Sequence, residues 1–191
     1  MFSIMSTRIR WLEAALDALE HSGAPGIRID RLAAALGLSK GSFHHHFDGA
    51  ESFKRAVLDR YEELALSELD ALADELATRP PQAALATLTE KFGTSGGVVL
   101  RPKLDVAVRA WAFQDVDAHS TQGRVDAARI KALENIWSRL VDDPRRARLA
   151  AILPYLVAVG ATVIVPPIGR EELFGAYAML LEVVPAIADP D

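Results

Sequence analysis

Apolar residues recur at spacings of three and four along nearly the whole chain, and no stretch alternates apolar with polar, so the expected fold class is all-α. Ile9, Leu12, Ala15, Leu16 and Leu19 form one apolar stripe over residues 7–21, which Ser22-Gly23 and Pro25 bring to a stop. A short helix is expected over 29–36, ended by Gly37, and another over 40–47 with Ser39 placed as its N-cap. Beyond Asp48-Gly49, the series Phe53, Val57, Tyr61, Leu64, Ala65, Leu69, Leu72 and Leu76 meets no breaker until Pro80-Pro81, which predicts a single long helix over 50–78. Further helices are expected near 82–92, 104–114, 117–141, 145–165 and 170–187, with Asp143-Pro144 as an N-cap and first-turn pair.

Charge divides the chain unevenly. Its 191 residues carry a net charge of -5, yet residues 1–55 hold seven Lys or Arg against six Asp or Glu, while the remainder holds fourteen against twenty. The first segment is therefore the part that a polyanion would not repel. With no cysteine, disulfides, thiolate metal sites and thiol nucleophiles are excluded. The opening residues, interrupted by Arg8, Arg10, Glu13 and Asp17, lack the continuous apolar run of a secretory signal, and a cytoplasmic location is expected. Residues 149–169 carry no charge, but Pro154, Gly160 and Pro166-Pro167 interrupt them, which favours a buried helix of a dimer core over a membrane span.

The most informative stretch is RLAAALGLSKGSFHHHF, from Arg31 to Phe47. Leu32, Leu36, Leu38 and Phe43 are spaced to bury the facing sides of two crossed helices, Ala33 is small where they approach, and Gly37 suits a left-handed turn. An ordinary helical hairpin needs the same apolar positions. It does not need Ser39, Lys40, Ser42, His44 and His45 on the outer side of the second helix, all groups able to hydrogen-bond base edges or phosphates. This is the pattern of a helix-turn-helix that binds DNA.

On these residues the segment from Arg8 to about Tyr61 resembles the DNA-binding domain of the TetR family. Leu32-Ala33, Gly37-Leu38-Ser39 and His46-Phe47 match that family's pattern, and the resemblance covers a little over a quarter of the chain. Val108-Arg109-Ala110-Trp111-Ala112 and Asp126-Ala127-Ala128-Arg129 further resemble its regulatory domains. The resemblance implies a DNA-binding domain over 1–50 and a helical effector-binding and dimerisation domain over 51–191, with the last two long helices pairing two copies. It implies a transcriptional regulator, a repressor by family habit, acting on a palindromic operator. Two positions depart from the pattern: the usual Tyr is His44, and the Lys usual three residues after the Phe is Ala50. Arg28, Lys54 or Arg55 is expected to take over the missing phosphate contact, and the same fold without DNA binding, as an interaction protein, is the alternative.

Other chemistry is less well supported by the pattern. Neighbouring residues on a helix point about 100° apart, so His44, His45 and His46 do not converge on one metal ion. Asp115, Asp117 and His119 would share a face only on a strand, and in a helical chain Asp117 reads as a cap. The glycines between 93 and 97 lack the Gly-Lys-Ser/Thr ending of a phosphate loop and read as a linker. No nucleophile elbow or paired carboxylate set appears, so neither an enzyme nor a cofactor is expected. Phe92, Trp111, Trp137 and Tyr155, with Arg109 and Gln114 as polar groups, are the candidates for lining a pocket for a small apolar or aromatic effector.

Overall fold

The computed structural model describes residues 6–80, 83–84, 86–88, 90–91, 101–166 and 168–188, with 181–188 described by backbone alone. Among these there is no strand. The helices are α1 (Thr7–Ser22), α2 (Ile29–Leu36), α3 (Lys40–His46), α4 (Ala50–Ala77), α5 (Pro102–Ala112), α6 (Val116–Trp137), α7 (Pro144–Val163) and α8 (Arg170–Ala188). Between α4 and α5 the described positions 83–84, 86–88 and 90–91 are also helical. The expected fold class therefore holds, and element ends fall within a few residues of the periodicity. Phe92 and the glycine-rich stretch 93–97 lie outside the described residues.

The chain divides into two compact units, one of residues 1–64 and 103–123, the other of 65–102 and 124–191. In the first, the stripe of α1 is buried as Trp11, Leu12, Ala15, Leu16 and Leu19. The Ser6 side chain accepts the Ile9 N–H at 3.4 Å, and the α1 C-terminus closes on Gly23, whose N–H donates to the Leu19 carbonyl at 2.9 Å. Trp11 sits in an aromatic nest, edge-on to Phe43 at 5.4 Å and to Phe53 at 6.4 Å, while Phe53 also meets Phe43 at 5.2 Å and Phe47 at 4.7 Å. Helices α1 and α3 and the start of α4 thus converge on one ring cluster, and truncating Phe43, fully buried, should cost about 3–5 kcal/mol.

The first unit also takes in α5 and the start of α6, which carry a buried polar network. Asp105, on α5, receives the Tyr61 hydroxyl at 2.6 Å and the Arg109 Nε–H at 2.8 Å. The Tyr61 oxygen is also 3.0 Å from Gln122 Oε1. A phenol has one proton, and the shorter contact to a carboxylate has the stronger claim on it.

In the second unit, Leu72, Leu76, Ala84, Leu88, Leu133, Trp137, Val141, Ala147, Ala151, Tyr155, Leu173 and Tyr177 make one core. The C-terminal carbonyls of α4 are satisfied by Arg139, whose guanidinium reaches Leu76 O at 3.4 Å and Arg79 O at 2.7 Å. Asp143 accepts the Arg145 N–H at 2.9 Å as N-cap of α7, with Pro144 in the first turn as expected. Pro154 lies inside α7, and the Tyr177 hydroxyl of α8 donates to its carbonyl at 3.3 Å. Burial pushes the Tyr177 phenol above its ordinary range, so it stays a neutral donor.

By length and composition α7 would reach across a bilayer, yet only part of it is apolar and exposed. Its small residues Ala147, Ala150, Ala151 and Ala158 face the core, while Leu149, Leu153, Leu156 and Val163 are exposed.

Candidate nucleic-acid interface

The turn between α2 and α3 is held by backbone chemistry that the sequence announces. Gly37 is left-handed, with φ 65° and ψ 32°, and the N–H groups of Gly37 and Leu38 return to Ala34 O at 3.2 Å and Ala33 O at 2.9 Å. A β-carbon at Gly37 would meet open space, so the glycine is required for its backbone conformation and not for room. Ser39 then caps α3 by accepting the Ser42 N–H at 3.2 Å, as its position predicts.

Phe43 and Phe47 anchor one side of α3 in the aromatic nest and turn the other side outward. Ser39, Lys40, His44 and His45 are exposed, and Ser42 and His46 half-buried. The structure thus brings Ser39, Lys40, Ser42, His44 and His45 together on one short helix. The His45 and His46 rings approach at 4.9 Å, and His44 lies edge-on to Phe43 at 5.3 Å.

Two expected phosphate contacts are otherwise engaged. Lys54 extends to Glu51 at 2.9 Å, Asp115 at 3.0 Å and Asp117 at 3.0 Å. An ammonium has three donors, so three carboxylates leave none for a phosphate. The hydrogen bonds to Glu51, Asp117 and Asp115 push the Lys54 ammonium well above the ordinary lysine range. Arg28 pairs with Asp30 at 3.4 Å. Arg55 is exposed.

Asp115, not Asp117, is the carboxylate that caps α6. One oxygen accepts the Asp117 and Ala118 N–H groups at 2.9 and 3.0 Å, and the other accepts Lys54. The Ala118 amide foremost, then Lys54, hold this carboxyl below the usual range against the opposing effect of burial. Sequence spacing missed the assignment by two residues because both carboxylates stand at a helix start. Among the described residues no group of three His, Asp or Glu side chains is arranged to hold a metal ion.

Two arginines that the sequence reading passed over steady the frame of α3. Arg10, half-buried on α1, donates to Leu36 O at 3.0 Å, satisfying a carbonyl at the end of α2, and Arg8 lies 5.4 Å over the Phe47 ring. A signal existed: cations in the first turn of a helix oppose its dipole, so two arginines there point to partners elsewhere.

The candidate effector residues divide between the units. Trp137 and Tyr155 share the core of the second, where the Tyr155 hydroxyl donates to Asp126 at 2.8 Å and the Trp137 indole N–H has no partner among the described residues. Arg109, Trp111 and Gln114 belong to the first unit; Arg109 is committed to Asp105, Trp111 is half-buried and Gln114 exposed.

A buried three-helix frame presenting a short polar helix beyond a left-handed glycine is the arrangement of a helix-turn-helix. Residues 12–57 match the model of bacterial regulatory proteins of the tetR family. The fold recurs in a TetR-family transcriptional regulator from Streptomyces coelicolor, 14% identical over 95% of each chain with a TM-score of 0.74. It recurs in a TetR transcription regulator from Haloarcula marismortui, 21% identical, covering 94% of this chain and 96% of that one, with a TM-score of 0.71. A transcriptional regulator from Saccharomonospora viridis, solved in complex with choline, is 19% identical, covering 92% of this chain and 95% of that one, with a TM-score of 0.68. No curated protein sequence matches the chain significantly. Residues 12–57 thus match the tetR-family DNA-binding segment, and the whole chain has the fold of TetR-family transcriptional regulators.

Proposed function

We propose that the chain is a cytoplasmic, dimeric, ligand-responsive repressor that reads a palindromic operator and leaves it when a small apolar or aromatic effector binds. The observation that carries the reading is the outward row Ser39, Lys40, Ser42, His44 and His45 on a helix whose other side is locked by Phe43 and Phe47. Lys40 meets a phosphate, while Ser42, His44 and His45 lie along base edges. Two such helices, roughly 34–36 Å apart, reach successive major grooves.

Dimerisation through α7 and α8 is supported by Leu149, Leu153, Leu156 and Val163 on α7 and Phe174 and Met179 on α8. All are large, apolar and exposed in the single chain. For the effector, Trp137 and Tyr155 supply aromatic walls, and the unpartnered Trp137 N–H supplies a donor for an acceptor atom. The choline complex of the Saccharomonospora viridis regulator shows small-molecule binding in a protein of this fold. An effector releases DNA only if it prefers the conformation that cannot bind it.

Selection of a random duplex library by the purified protein tests the reading. Retained sequences with a palindromic consensus, and a two-chain mass in sedimentation, support it. A second reading, a helical interaction protein without DNA affinity, draws on Ala50 in place of lysine and on the engaged Lys54 and Arg28. Failure to enrich any sequence at low salt favours it.

A further inference from the structure

The DNA-facing surface is short of permanent positive charge. Residues 1–55 hold seven Lys or Arg against six acids. Among the seven, Lys54 is surrounded by carboxylates, Arg28 is paired with Asp30, Arg10 is given to the Leu36 carbonyl and Arg8 lies over Phe47. Lys40, Arg31 and Arg55 are exposed, and among the described residues none of them stands in an ion pair. Against that supply, the last turn of α3 carries three of the chain's five histidines, and His44 and His45 are exposed.

Histidine is the side chain that changes charge between about pH 5 and 8. The charged and titratable groups on the elements around α3 are Arg8, Arg10, Glu13, Asp17, Glu20 and His21 of α1, Asp30 and Arg31 of α2, and Asp48, Glu51, Lys54 and Arg55 at and before the start of α4. Asp30 pairs with Arg28 and Glu51 with Lys54. Lys40 stands one turn before His44 on the same helix. A polyanion laid along this surface favours a protonated imidazole over a neutral one.

Resting on the DNA-binding reading above, we infer that operator binding by this protein is proton-linked: His44 and His45 take up protons on binding and meet the DNA as imidazolium ions. Affinity then rises as pH falls through the histidine range, because the bound state holds more protons than the free one. Two imidazolium charges would raise the net charge of residues 1–55 from about +1 to about +3, so the effect is large for this interface.

The test measures the dissociation constant of the selected operator and its salt dependence at about pH 6 and about pH 8, for the wild type and for the double variant His44→Gln/His45→Gln. Wild type is expected to bind at least about tenfold tighter at the lower pH, with a log–log salt slope steeper by roughly one to two units. The double variant, altered only at exposed positions, is expected to lose that pH dependence while melting at the wild-type temperature. His21→Gln, at a ring whose Nδ1 lies 2.7 Å from the Asp17 carbonyl within α1, is expected to keep it. Equal wild-type affinities and slopes at the two pH values, or pH dependence surviving in the double variant, would overturn proton linkage and leave DNA binding standing. Absence of binding at both pH values would overturn the DNA-binding reading itself.

Discussion

Replacing Tyr61 with Phe removes one oxygen from a place where three side chains depend on it. The hydroxyl donates to Asp105 at 2.6 Å and lies 3.0 Å from the Gln122 amide, and Tyr61, Asp105 and Gln122 are each at most 5% exposed. The ring still fills its space, so no cavity contributes. The cost is the hydrogen bond to a buried carboxylate, about 1.5–3 kcal/mol. With urea slopes of about 1–3 kcal/mol/M, the unfolding midpoint should fall by roughly 1 M at unchanged slope. Circular dichroism at one fixed protein concentration reads it, the concentration being fixed because a dimer's stability depends on it. In a cycle with Asp105→Asn the two changes should couple by at least about 0.5 kcal/mol, since they meet in one contact. A destabilisation by Tyr61→Phe below about 0.5 kcal/mol would refute the claim that this network holds α4, α5 and α6 of the first unit together.

Other expectations follow from single contacts. Gly37→Ala should cost about 1–2 kcal/mol in thermal or urea unfolding, since a β-carbon opposes the left-handed backbone; a neutral result would mean the turn relaxes to another conformation. Lys40→Ala should weaken operator binding and make the log–log salt slope shallower by about one unit, and unchanged binding across salt would remove Lys40 from the interface. Lys54→Met should cost about 1 kcal/mol of stability yet leave the salt slope unchanged; a shallower slope would show that the ammonium reaches phosphate after all. Because the Asp115 carboxyl is held low in the folded state, its stabilisation is complete above the ordinary carboxylate range and is lost as pH falls through the folded value. Acid unfolding below about pH 4 should therefore be steeper for wild type than for Asp115→Asn, and parallel curves would deny the carboxylate that role.

What the sequence disclosed and what it withheld separate by distance along the chain. The limits of α1, α2 and α3, the left-handed Gly37 and the Ser39 cap are local events, written in spacing and in residues within one turn of each other. The outward set on α3 was legible for the same reason, because a seven-residue helix with Phe43 buried leaves little choice for its neighbours. Lys54 read as a spare cation because its partner Asp115 lies 61 residues away. Arg109 read as a pocket group because nothing in its helix reveals that Asp105, one turn earlier, is buried and shared with Tyr61 from 44 residues away. Periodicity reports which face is buried, and not which polar groups meet inside.

Trp11 lies under the recognition helix with no solvent exposure, ringed by Phe43 and Phe53, and its indole N–H has no partner. An indole so placed emits as if in hydrocarbon, and its emission responds to the arrival of water or of any hydrogen-bond acceptor. With Trp111 and Trp137 replaced by Phe, the protein carries its own optical gauge of how tightly α3 is seated. Titrations with operator or effector then become readable without attaching a dye to the surface that touches DNA.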